Sequence, residues 1–173
     1  MKIGQRILII GSGGAGKSTL ARRLGELTGI PVIHLDAHYW LPGWVVTPKE
    51  EWAGKVDALL QGDRWIMDGN FGSTLKQRLP RADTVIYLDY PSWLCLWRVL
   101  RRRVQYHGRT RPDIGPGCPE SIDAEFIQWV INFPRNTRPK LLNLLAEHAQ
   151  HAQIIIHKSP AETRRLLEMA AEK

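Results

Sequence analysis

Only two of the 173 residues are cysteine, Cys95 and Cys118, too few for a disulfide framework or a zinc site of their own. Both are expected to be packed thiols in a reducing cytoplasm. Long hydrophobic runs are missing too. Apolar stretches such as Ile7–Ile10 and Ile154–Ile156 stop after a few residues, so none would span a bilayer. The stretch after Arg6 ends at a glycine loop, and the N-terminus carries no signal-peptide pattern. There is no internal repeat, no low-complexity tract and no sustained heptad. Disorder is excluded by composition, because 43% of the chain is hydrophobic and 24% charged. Two independent cores would be cramped at this length, so one domain over residues 1–173 is expected.

Acid is absent from one place in particular. Between Tyr90 and Pro112 there is none, yet six arginines occur there: Arg98, Arg101, Arg102, Arg103, Arg109 and Arg111. Setting those six aside leaves 18 of the 24 bases against 17 acids, so the net charge of +7 is local. A protein that coats nucleic acid or membrane would more often spread its bases over a face. One cluster points to a specific anionic ligand, with nucleic acid an unlikely partner.

What is present alternates. Arg6–Ile10 reads as a buried parallel strand, and Leu20, Leu24 and Leu27 make an amphipathic helix from Lys17, closed by Gly29 and Pro31. Val32–Leu35, Trp65–Met67, Thr84–Leu88 and Gln153–His157 read as further strands. Helices are expected from Thr47-Pro-Lys-Glu50 through Leu60, over Ser92–Val104, Ser121–Ile131 and Pro139–Ala149, and after Ser159-Pro-Ala-Glu162. The first and last of these open on capping boxes. Gly108–Pro119, rich in Gly, Pro and Arg, reads as a loop, and residues 37–48 show no period. The alternation predicts an α/β fold, a five-stranded parallel sheet with helices on both faces.

Gly11-Ser12-Gly13-Gly14-Ala15-Gly16-Lys17-Ser18-Thr19 matches G-x-x-x-x-G-K-[ST], with a strand before it and a helix after. Glycines let backbone N–H groups turn around a β-phosphate, and the helix presents its positive end to the same group. Lys17 is expected to reach the β- and γ-phosphates of ATP, and the Ser18 hydroxyl to ligate Mg²⁺. Asp68, after a strand and before Gly69, can hold Mg²⁺ waters opposite. Asp36, expected to close the second strand, should face the phosphates from a carboxyl end of the sheet.

The run from Gly11 to Asp36, the segment WIMDGNF and the run ADTVIYLDYPSWLCLWRVLRRR together resemble the adenylate-kinase-like P-loop kinases. Leu35, Asp36 and Trp40, the DGN turn, LDYP-x-W-L-C-L-W-R and R-x-R-P-D…G-C-P-E resemble, within that group, the topology modulation protein family. The resemblance covers nearly the whole chain. It implies a P-loop NTPase fold, transfer of the γ-phosphoryl of ATP to a small acceptor, and a lid near residues 105–120. It also implies that Arg102 lies near the ATP phosphates and that Arg109 and Arg111 act from the lid. The family name keeps open a nucleic-acid-associated protein acting on DNA topology, and an ATP-binding regulator without turnover is a third reading. Where adenylate kinases end their D-G-F-P-R segment with the arginine that holds AMP, this chain has Gly72. Trp40 and Trp44 are expected as walls of the acceptor pocket. Most of the other tryptophans are expected in packing, and the six histidines show no ligand spacing.

Overall fold

The computed structural model describes residues 3–172, so the extreme ends of the expected domain lie outside the description. Its elements run β1 (Arg6–Gly11), α1 (Lys17–Thr28), β2 (Val32–His34), α2 (Leu35–Tyr39), β3 (Trp40–Leu41), β4 (Val45–Val46), α3 (Lys49–Leu59) and β5 (Trp65–Asp68). They continue as α4 (Gly72–Arg78), a 3₁₀ turn (Leu79–Arg81), β6 (Thr84–Leu88), α5 (Ser92–Gln105), α6 (Ala124–Asn136), α7 (Arg138–His148), β7 (Gln153–His157) and α8 (Pro160–Ala171). Five strands form one parallel sheet in the order β2-β5-β1-β6-β7.

The pleat sorts each central strand between two cores. Leu8 and Ile10 of β1, Met67 of β5 and Tyr87 of β6 face α3, α4 and α7. Ile7, Ile9, Ile66 and Ile86 face α1, α5 and α8. Residues 7–10 are all 0% exposed, which is why the run is apolar throughout instead of alternating. Each such burial stabilises by about 1.5–3 kcal/mol relative to exposure. Among the described residues no helix is long and apolar enough to cross a membrane.

Several local expectations give way to specific contacts. β2 stops at His34, and Leu35 and Asp36 open the short helix α2. The periodless segment folds into α2 and the antiparallel β3–β4 hairpin. The Thr47 box does not form, because the Thr47 hydroxyl donates to the Tyr39 carbonyl (2.7 Å) and α3 starts after Pro48 without a side-chain cap. Ser159 makes no side-chain cap bond either; Glu162 instead accepts from the N–H of Lys158, one residue before the cap (2.6 Å). Helix α6 starts later than expected, where Asp123 accepts from the Phe126 N–H (2.7 Å), and runs on through Pro134.

Trp93, Trp97, Leu100 and Val104 share the exposed face of α5, with Trp93 71% and Val104 80% accessible. The helix is turned by its buried line, Cys95 and Val99. The Cys95 carbonyl lies where a Cβ on Gly14 would be, so the phosphate loop admits only small groups on that side. Trp52 and Trp65 are buried as expected, and both cysteines are buried and free.

Candidate active site

The turn between β1 and α1 opens onto a cavity of about 1260 Å³ whose floor is the backbone of residues 13–19. Gly14 and Gly16 hold φ angles of +77° and +96°, conformations in which a side chain is strained. The loop therefore needs glycine there for its shape, independently of any ligand. Gly11 ends β1, and the turn runs through Gly13, Ala15 and Gly16 into the N-terminus of α1. The Lys17 ammonium donates to the carbonyls of Gly11 (3.1 Å) and Ser12 (3.0 Å). Burial pushes the Lys17 pKa down, against the raising influence of Asp36 and Asp68. Thr19 is exposed at the loop's outer end.

Asp68, 4% exposed at the end of β5, accepts from the Ser18 hydroxyl (2.7 Å). Its other oxygen lies 2.5 Å from His34 Nδ1. Burial alone would lower the His34 pKa, but the hydrogen bond and charge of Asp68 outweigh it and leave it raised. One hydroxyl and one carboxylate oxygen beside a phosphate cradle fit Mg²⁺. That ion prefers hard oxygen donors, keeps several waters and completes its octahedron on phosphates. Ser18 would ligate it and Asp68 would ligate it or hold its waters.

Asp36 lines the same cavity from the first turn of α2, not from a strand end. Burial raises its pKa from the ordinary value of 3.8, although Lys17 and Arg111 pull it down. Trp40 and Trp44 line the cavity beside it, packed edge to face at 5.2 Å, with Phe71 from the DGN turn. This wall is aromatic, and its ionisable groups are carboxylates.

The arginines divide differently from expectation. Arg102 and Arg111 reach the cavity, whereas Arg109 is exposed and does not line it. Glu120, 4% exposed, bridges the first two: Arg102 Nε donates to Oε1 (2.9 Å), and Arg111 Nε lies 2.6 Å from Oε2, too bent for a hydrogen bond. Arg111 Nη1 also donates to Asp113 (2.9 Å). Burial, followed by the charge of Arg111, lowers the Arg102 pKa against the pull of Glu120. Both guanidinium groups are thus matched by carboxylates.

The segment carrying Arg111 also docks on the β3–β4 hairpin. Gly43 N–H donates to Gly117 O (2.9 Å), Trp44 Nε1 to Pro119 O (2.9 Å) and Cys118 Sγ to Leu41 O (3.2 Å). Gly115 passes so close to Ala37 and Trp40 that a Cβ would meet the Trp40 carbonyl at 2.9 Å.

Four contributors stand in motifs noted in the sequence but were assigned no role at the site. Arg98 donates to the Ala15 carbonyl (3.1 Å) and stacks over Tyr90. Its spacing with Arg102 on one helix face was the available signal. Asp113 and Glu120, the two acids of the R-x-R-P-D…G-C-P-E motif, pair with arginines. The Asn70 side chain grips Gly11 from both sides, accepting from its N–H (3.0 Å) and donating to its carbonyl (2.7 Å).

No protein-family model and no curated protein matches the chain. Solved structures do. It is similar to shikimate kinase from Acinetobacter baumannii in complex with shikimate, at 19% identity over 95% of this chain and 89% of that chain, with a TM-score of 0.62. It is similar to deoxyadenosine kinase from M. mycoides, at 13% identity over 96% of each chain and a TM-score of 0.54. A gluconokinase from Sinorhizobium meliloti 1021 aligns at 15% identity over 99% of this chain and 94% of that one, with a TM-score of 0.52. With the five-stranded parallel sheet and the glycine turn at its centre, these likenesses show the fold: the chain has the P-loop NTPase fold.

Proposed function

We propose that this chain is a kinase that transfers the γ-phosphoryl of Mg²⁺-bound ATP to a hydroxyl on a small, uncharged acceptor. The observation that carries the reading is the single cavity joining the phosphate cradle and the Ser18–Asp68 pair to Asp36. In-line transfer needs the donor phosphates and the acceptor hydroxyl in one water-poor space. The names of the three structural neighbours, all small-molecule kinases, support the reaction class. Membership of the topology modulation protein family belongs to the same proposal, and rests on the motif resemblance.

The roles follow from position. The backbone amides of residues 13–19 hold the β-phosphate, and Lys17 neutralises charge that moves onto the β–γ bridge. Mg²⁺ at Ser18 and Asp68 would supply charge neutralisation across the phosphates. Asp36 orients the acceptor hydroxyl and takes its proton as the phosphoryl group arrives. Arg102 and Arg111 turn from Glu120 and Asp113 towards the phosphates as residues 105–120 close, acting as the lid of a single domain.

The acceptor is taken as uncharged because the wall beside Asp36 is built from Trp40, Trp44 and Phe71, which carry no cation to hold a phosphate. Beside that wall the carboxylates Asp36 and Asp113 and an already paired Arg111 would meet a phosphorylated acceptor. The cations without a carboxylate partner, such as Arg98 against the Ala15 carbonyl, line the cavity elsewhere or at the cradle. The pairing of Arg102 and Arg111 disfavours a DNA-binding role, since these guanidinium groups are enclosed in the cavity and engaged there. ADP production should rise with an uncharged nucleoside or polyol and remain low with AMP. AMP as the best acceptor would overturn the choice of acceptor class.

The arginine assignment has its own test. Arg111→Ala should lower kcat by roughly a hundredfold and change ATP affinity only a few-fold, because its phosphate contact forms on closure. Arg109→Ala should change both by less than about twofold, as for an exposed side chain. Equal losses in the two variants, measured by steady-state kinetics and calorimetry, would contradict the assignment.

A further inference from the structure

Arg78 is 0% exposed and no carboxylate lies within ion-pair distance of it among the described residues. Burial lowers its pKa to about 9, which leaves it charged at neutral pH. Burying a lone cation is costly unless its donors are fully used. Its two terminal nitrogens are spent on one loop, while Nε has no hydrogen-bond partner. Arg78 Nη1 donates to the Gly69 carbonyl (3.0 Å), and Nη2 donates to the carbonyls of Asn70 and Phe71 (3.1 Å to the latter).

That loop does not hold its shape unaided. Gly69 has φ +131° and Phe71, a residue with a full side chain, has φ +34°. A non-glycine residue there costs about 1–3 kcal/mol and persists only where its surroundings enforce it. Three successive carbonyls turned onto one guanidinium supply that enforcement. The product of the turn is the aim of the Asn70 side chain, whose amide takes both backbone groups of Gly11, the first residue of the phosphate loop. The Gly11 carbonyl also receives Lys17.

We propose that Arg78 is a positioning residue that fixes the phosphate loop through Asn70: guanidinium to three carbonyls, Asn70 amide to Gly11, Gly11 to the cradle. Its relevance to catalysis rests on the kinase reading above. The same loop presents Gly69, Asn70 and Phe71 to the cavity, so one buried cation registers the acceptor wall against the phosphate cradle.

Amide hydrogen exchange on the ligand-free protein reads the clamp without any substrate. Asn70→Ala should speed exchange at Gly11 by about tenfold, the loss of one net hydrogen bond's worth of protection. Arg78→Met should do the same at Gly11 while leaving Leu8 and Ile9, deeper in β1, unchanged. If Arg78→Met does not fold, Arg78→Lys takes its place, keeping the charge while losing the planar fork. It should show a smaller increase confined to the same residue. Calorimetry then reads the functional half. Each single variant should bind Mg²⁺·ATP about tenfold more weakly, and the double variant no more weakly than the worse single, because both act through one contact. A uniform rise in exchange along β1, or additive losses in the double variant, would overturn the proposal in favour of simple destabilisation. The localised exchange effect in the variants, together with wild-type protein that does not bind ATP, would instead remove the kinase reading and leave the clamp standing.

Discussion

Lys17→Ala lowers phosphoryl transfer by roughly a thousandfold or more and weakens ATP binding, while the protein stays folded. The size follows from where charge moves. In the transition state negative charge builds on the β–γ bridge, and a fixed cation in a partly dehydrated cradle is worth several kcal/mol there. The fold tolerates the change because Lys17 spends its ammonium on two carbonyls, of Gly11 and Ser12, each a hydrogen bond of about 1 kcal/mol net. Burial has already lowered its pKa, so desolvation opposes the charged side chain where it stands. Removing it therefore costs little stability and nearly all function. Calorimetry and steady-state kinetics on the folded variant check this. Normal turnover would contradict the assignment of the cradle.

Asp36→Asn has the second largest effect, on rate and not on ATP affinity. A carboxylate that takes the acceptor proton contributes roughly two to four orders of magnitude, so acceptor phosphorylation should fall by about a hundredfold or more. ATP affinity should change only a few-fold, since the proposed role of Asp36 is at the acceptor hydroxyl. The pH profile distinguishes this role from a structural one. As a base Asp36 works only when ionised, and burial raises its pKa above 3.8. Activity should thus be full at higher pH and fall as pH drops through that raised value. In Asp36→Asn this acid limb should vanish with the lost rate. An unchanged limb would assign it to another group.

The parts of this site legible in sequence are those whose chemistry is contiguous. Residues 11–19 carry their own strand, turn and helix start, so nine neighbouring side chains specify cradle, lysine and hydroxyl together. The sheet was legible because its central strands are buried on both faces and read as unbroken apolar runs. Asp36 was placed in the right cavity by the wrong element: a helix of five residues, α2, is too short to show a period. On α5 the helical spacing puts Trp93, Trp97, Leu100 and Val104 on one face. It could not say which face turns inward, because that depends on Gly14 meeting the Cys95 carbonyl across the fold. Arg109 and Arg111 look alike in sequence, two residues apart in one loop. They separate only through Glu120 and Asp113, which capture one of them. Arg78 was invisible for a related reason. On α4 it reads as an ordinary solvated base, and its partners are carbonyl groups, which have no letter in the sequence.

The kinase reading is tested most directly by following the label from ATP marked at its γ-phosphate, incubated with Mg²⁺ and a pool of uncharged hydroxyl metabolites and AMP. The account predicts that label moves to an uncharged acceptor in the wild-type protein. It should stay on ATP in Lys17→Ala, and transfer to AMP should be minor. Label that remains on ATP with every acceptor, while the wild-type protein binds ATP tightly, would contradict the kinase reading and favour a regulator that holds ATP without turning it over.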